Sequence, residues 1–268
     1  MPSLNSIVEL QGQLVDLATL SYQDLAALWR RVKDNDDAEY IRDVLIELVP
    51  EIVGTYTNAA AVLTTQWYDD LLPETDFVAE PADPLDPAKL VASTRWALSP
   101  LFGGNANTSP LSLMGGFAQR AVFDASRQTV LLNANQEQGT RWARHASSNA
   151  CEFCRMVATR GAVYTSESAA NQVGGRGKAV STNYRANDKR KAGGQAKGVR
   201  VRGTQKIGDK YHDHCHCVAV PVRPGDAYEP PPYVEQWEQQ YIQAVRNTQG
   251  DGAISVKDVM AEMRRLAK

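Results

Sequence analysis

The chain has 268 residues, 43% of them hydrophobic, and a formal net charge of only -2. That length and apolar content suit one large or two modest globular domains with a buried core. No apolar run approaches the roughly 20 residues needed to cross a bilayer. Glu9 and Asp16 interrupt a start that has no basic region, so a secretory leader is not expected and folding in a reducing cytoplasm is.

Residues 3–72 read as helical. Ile7, Leu10, Leu14 and Leu17 recur at helical spacing, as do Leu25, Leu28, Trp29 and Val32. Ser21-Tyr22-Gln23-Asp24 has the form of a capping box opening the second of these runs. Ile41, Val44, Leu45, Leu48 and Ile52 predict a further helix, which Pro50 is expected to end or kink because it lacks an amide proton. Pro73, Pro81, Pro84 and Pro87 then punctuate an acidic stretch over 73–88, expected to be a linker. Helical patterning returns at 88–98 and again from Leu111 to about Leu132.

Past Gly139 the character changes. Thr140–His145 alternates like a short strand, Cys151–Arg160 suits a helix stopped by Gly161, and Cys215–Val222 alternates again before Pro224. Two more helices are expected, over 233–247 and from Ser255 to the end. Together these elements predict an α+β protein: a helical N-terminal region, a small α+β domain and C-terminal helices.

Charge is segregated along the chain. Residues 1–100 hold 17 acidic against 6 basic residues, whereas Gly174–Lys210 holds 11 basic against 2 acidic, a local charge of +9. Such asymmetry suggests two surfaces with different partners. The basic segment is rich in Gly, Asn and Ser and has only Tyr184 as an aromatic. It reads as a long loop or extension. One reading of it is a solvated loop with no partner; the other is contact with double-stranded DNA or with an acidic protein surface, for which Arg185, Lys189, Arg190, Lys191, Lys197, Arg200 and Arg202 are the candidate nucleic-acid contacts. Lys and Arg on a flexible backbone reach phosphates without reading sequence.

All four cysteines and three of the four histidines fall in two clusters, Cys151-Glu152-Phe153-Cys154 and His212-Asp213-His214-Cys215-His216-Cys217. A C-x2-C turn lets two sulfurs converge on one ion, and Zn2+ wants four N or S ligands in a tetrahedron. The candidate ligands of a structural Zn2+ are therefore Cys151 and Cys154 with two from the second cluster, where His212, His214, Cys215, His216 and Cys217 offer more than the shell needs. Disulfides, or reduced thiols packed as small hydrophobes, are the alternatives; a cytoplasmic setting disfavours the former. A catalytic zinc would need an open position and a nearby base, for which Glu152 and Asp213 are available.

The ordered pieces Arg120 and Arg127, Trp142, Cys151 and Cys154, Gly161 with Tyr164, and His212-x-x-Cys215-x-Cys217 before Val220-Pro221-Val222 resemble the core of the phage Mu F-like minor head proteins. The likeness spans about residues 111–224. It departs from the family at Asn149-Ala150, where a charged residue is common, at Asp213-His214, where Pro-Asn is common, and in the length of the basic insertion 174–210. The resemblance divides the chain into an acidic helical region (1–72), a Pro-rich linker and short helix (73–110), the Mu F-like domain (111–224) and C-terminal helices (225–268). It implies a low-copy protein inside the phage head, associated with the portal and with other head proteins such as scaffold and major capsid protein. Such a protein assists head assembly and DNA packaging or exit, and is not an enzyme. Some related genes are labelled capsid maturation protease. A serine protease would need His145 with Ser147 or Ser148 beside it. A zinc-dependent nuclease is the third reading.

Overall fold

The structure, a computed structural model, describes residues 2–71, 76–104, 107–159, 215–248 and 256–267. Among them are seven α-helices and a two-stranded sheet, so the α+β expectation holds. The chain divides into two compact units, residues 1–138 with 212–221, and residues 139–211 with 222–268.

The first unit is built on long helices. α1 (Leu4–Val32) is capped by Ser3, whose hydroxyl accepts from the Ser6 amide at 3.1 Å. It buries Ile7, Leu10, Leu14, Ala18, Ser21, Leu25, Leu28 and Val32. Those steps of three and four residues make one seam along the whole helix. Ser21 therefore lies inside α1 and fully buried, not at a new start, because Leu25 and Leu28 continue the seam without a change of phase. α2 (Ala38–Asp70) starts at Asp37, whose carboxylate accepts from the amides of Glu39 and Tyr40. It runs on through Pro50. The proline removes one helical donor, but its ring is buried beside Val49 and Val53, and that packing outweighs the single lost bond.

α3 (Pro87–Ala97) follows an Asp86 cap with proline in its first turn, a 3-10 turn spans Ser99–Phe102, and Gly103 ends it at φ 83°. α4 (Pro110–Gln136) opens on Ser109 and is buried nearly all round, as a central helix must be. Leu25, Leu28, Ile41, Leu45, Val49, Val53, Leu90, Leu98, Met114 and Phe117 share one apolar core, so all four helices contribute to it.

The acidic stretch before α3 is pinned to these helices. Ala79 N–H donates to Asp69 at 2.8 Å, and Ala82 N–H to Thr129 Oγ1 at 3.1 Å. Asn133 grips Glu80 from both sides, accepting from its amide at 2.9 Å and donating to its carbonyl at 2.8 Å. Residues 76–86 thus form a strap pinned at four backbone groups of Ala79, Glu80 and Ala82 by side chains of α2 and α4.

β1 (Arg141–His145) and β2 (Val218–Val222) form the two-stranded sheet. The alternation expected of half-exposed strands is absent. Residues 142–145 and all of β2 are buried. In the second unit, α5 (Glu152–Ala158), α6 (Tyr233–Asn247) and α7 (Val256–Leu266) are short. Their core holds Met156, Val157, Val234, Trp237, Val259 and Met263. Tyr233 stacks on Trp237 with ring centroids 4.7 Å apart and donates its hydroxyl to the Ala146 carbonyl at 2.8 Å.

Candidate metal centre

Cys151 and Cys154 stand at the start of α5. Cys151 is the N-cap residue and Cys154 lies three residues on, in the first turn. Cys151 is half-buried and Cys154 is buried. The turn ahead of the helix is closed by Ala150 N–H donating to the Ser147 carbonyl at 2.9 Å, and Arg155 Nε donates to the Ala150 carbonyl at 2.6 Å. The Arg155 guanidinium also lies over the Trp237 ring, 5.5 Å from its centroid.

Glu152, between the two cysteines, pairs with Arg264 of α7 at 3.2 Å. Burial pushes its carboxyl up, but its own backbone amide and then Arg264 outweigh burial and hold it below the usual carboxylate range. That pair ties α7 to the start of α5.

Cys215 and Cys217 are each 2% exposed, directly ahead of β2. Four side chains of the helical unit hold their segment. Gln11 of α1 donates to the His216 carbonyl at 2.5 Å. Gln119 of α4 meets the His216 ring, and Phe123 lies against that ring with centroids 5.3 Å apart. Arg127 of α4, 2% exposed, donates to the Cys217 carbonyl at 2.7 Å, with Cys215 Sγ at 3.9 Å from the same nitrogen.

The sulfurs of Cys154, Cys215 and Cys217 lie within 4.8 Å of one another, and all four cysteines are free thiols. Three ligands at about 2.3 Å from a tetrahedral Zn2+ would be about 3.8 Å apart. Three buried thiols are a donor set that could hold a thiophilic ion. Of the expected ligands the structure brings these three together. Cys151 is not part of the group, and His212 lies outside the described residues, as do Asp213 and His214. So do Arg185, Lys189, Arg190, Lys191, Lys197, Arg200 and Arg202 of the basic segment.

His145 ends β1 and is 1% exposed. Its Nδ1 faces the Tyr228 hydroxyl at 3.4 Å, and burial pushes the imidazole pKa down to about 4, so it is neutral at pH 7. The neighbouring Ser147 hydroxyl donates to Asn149 Oδ1 at 2.7 Å.

Fold and site together define a predominantly helical α+β protein with a buried group of thiols suited to a metal ion. The chain belongs to the VG15 protein family, a viral (phage) family whose model matches residues 1–244. No curated protein and no solved structure matches it.

Proposed function

We propose that this chain is a minor head protein of a tailed phage, carried inside the head at the portal vertex, where it assists capsid assembly and DNA packaging or ejection. The observation that carries the reading is the match to a viral family over residues 1–244, nearly the whole chain. The Mu F-like order of arginines, tryptophan, C-x2-C and H-x-x-C-x-C supports the finer assignment. The partners are the portal and, during assembly, scaffold and major capsid protein. Docking falls to a helical face of the N-terminal half, where residues 4–29 of α1 and 43–70 of α2 hold Glu9, Asp16, Asp24, Asp43, Glu47, Glu51, Asp69 and Asp70 and no basic residue. The basic segment 174–210 is the part suited to packaged double-stranded DNA.

In this reading the metal is one structural Zn2+, held by Cys154, Cys215 and Cys217 with Cys151 or His212 as fourth ligand. Its contribution is to folding, because a metal clip offsets the entropy of closing the 57-residue interval between Cys154 and His212.

The test is coexpression with the cognate portal and major capsid protein, followed by portal capture and head purification. The expected result is co-purification with the portal, a few copies per head and an uncut capsid protein. Heads and portal that both lack the chain would refute the assignment. Capsid cleavage that needs this chain and vanishes in His145→Ala would establish the maturation protease instead.

A further inference from the structure

The motif arginine of α4 has a specific place beside the thiols. Arg127 is 2% exposed, so its charge is withdrawn from water and must be answered locally. On one side Asp124 answers it, accepting from Nη2 at 2.7 Å and from Nε at 3.2 Å. The face of Phe123 lies 5.9 Å from the guanidinium carbon. The other side of the fork points at the Cys215–Cys217 segment. Nη1 donates to the Cys217 carbonyl at 2.7 Å and stands 3.9 Å from Cys215 Sγ.

A neutral thiol is a poor acceptor and gives a buried guanidinium little reason to face it. A metal-bound thiolate is a strong one. Three thiolates on a dication leave one excess negative charge in a buried place, and that charge has to be balanced. The i, i+3 spacing of Asp124 and Arg127 aims the fork, because the carboxylate occupies two donors and turns the remaining nitrogen toward the knuckle.

We propose that Arg127 is the positioning residue of the metal centre: it fixes the Cys215–Cys217 segment through the Cys217 carbonyl and balances the excess charge of a thiolate-bound dication through Cys215 Sγ. The inference rests on the metal reading given above and adds to it a selectivity. A shell that needs a cation beside it is rich in thiolate, and such a shell takes soft dications such as Zn2+ or Cd2+ over Mg2+, Ca2+ or Mn2+. Lysine would not substitute, because a point charge cannot serve the carbonyl, the sulfur and Asp124 in one fixed plane.

The experiment uses the reduced, metal-free full chain. Zn2+ affinity is read by competition against a chromophoric chelator, and Cd2+ binding by its thiolate-to-metal charge-transfer absorption. Wild type should bind about one equivalent of either ion. Arg127→Met should bind roughly 10–100-fold more weakly, the usual effect of losing an outer-sphere partner. Its Cd2+ band should also move to lower energy, because a sulfur without the N–H donor gives up its electrons more readily. Arg127→Lys keeps the buried charge and serves if the Met variant fails to fold; it should show the same band shift with a smaller loss. A role in packing alone would lower the melting point of the metal-free chain and leave the band where it is. Wild-type affinity and an unmoved band in both variants would overturn the role of Arg127 while leaving the metal in place. A wild-type chain that binds neither ion would overturn the metal reading and this inference with it.

Discussion

Acid should unfold the second unit through one residue, His145. The imidazole is 1% exposed and is held neutral, with its pKa near 4 against an ordinary 6.5. The unfolded chain therefore takes up a proton that the folded chain refuses. Stability from this group is full above the unfolded value and falls as pH drops from 6.5 toward 4. At 1.36 kcal/mol per pKa unit, the whole difference is about 3 kcal/mol. Linkage places about 2 kcal/mol of it already at pH 5. A loss of that size is a large share of the net stability of a small domain. The assay is urea unfolding at pH 7, 6 and 5, followed by tryptophan fluorescence, since Trp142 and Trp237 both lie in this unit. Metal-free, reduced protein keeps thiol protonation out of the comparison. His145→Gln replaces the ring by a group that does not titrate, so its free energy should stay nearly flat from pH 7 to 5 while that of the wild type falls. Glu152 does not confuse the window: its carboxyl is lowered, so its contribution is lost only below the ordinary carboxylate range. Parallel pH dependence in wild type and variant would refute the burial argument.

Three further outcomes follow from other contacts. Asn133→Ala removes both bonds to Glu80 and should cost about 2 kcal/mol. Proteolysis within 76–86 should accelerate in that variant, and an unchanged cleavage rate would deny the strap its anchor. A Cβ on Gly115 would stand 2.6 Å from Cδ2 of Tyr22. Gly115→Ala should therefore destabilise the wild type but stabilise Tyr22→Ala by roughly 0.5–1 kcal/mol, the ordinary helical gain over glycine; additive effects in the thermal melts would contradict the contact. For the basic segment, binding to mixed-sequence DNA should fall about a thousandfold between 50 and 200 mM salt if roughly six phosphates are neutralised. Replacing Lys189, Arg190 and Lys191 by Ala should flatten that slope, and an identical slope would remove these residues from the interface.

The long helices were legible because apolar periodicity is a local signal. Ile7 to Val32 carries its seam in the sequence, and the caps Ser3, Asp37, Asp86 and Ser109 each stand where a helix begins. The misreadings share one cause, tertiary packing overriding a local rule. Ser21 looked like a cap but fills a seam position, and Pro50, expected to end or kink its helix, is buried within one that runs on past it. The prolines before α3 mark an extended strap whose partners, Asp69, Thr129 and Asn133, no local pattern could supply. At the metal centre the cysteines were legible from spacing alone. Arg127 was visible as a motif residue without a role, and Gln11 carried no signal in the sequence reading. Their partners lie 88 to 205 positions away in the chain, so their function needed the fold.

A metal at the candidate centre would matter most where the fold is locally weakest. α1, α2 and α4 are 29, 33 and 27 residues long and share an extended apolar core, so they need no staple. α5 has seven residues, below the roughly 12–15 at which even favourable sequences hold a helix alone. Besides its buried Met156 and Val157, the contacts that hold it include Arg155 on Trp237, Arg155 to the Ala150 carbonyl, and the Glu152–Arg264 pair, the last with Arg264 largely exposed. The exposed pair contributes no more than about 1 kcal/mol. A zinc–thiolate bond at Cys154 would exceed all of these, since structural zinc supplies on the order of 10 kcal/mol of folding free energy in small domains. Chelation should therefore act locally first. Amide hydrogen exchange across 152–158 should accelerate at least tenfold in the metal-free chain, while exchange along the seam of α1 and the centre of α4 stays slow. Cys154→Ser should reproduce the fast exchange with zinc present. If the α5 amides exchange at one rate with and without metal, the thiols are packing groups, and the short helix is held by its other contacts alone.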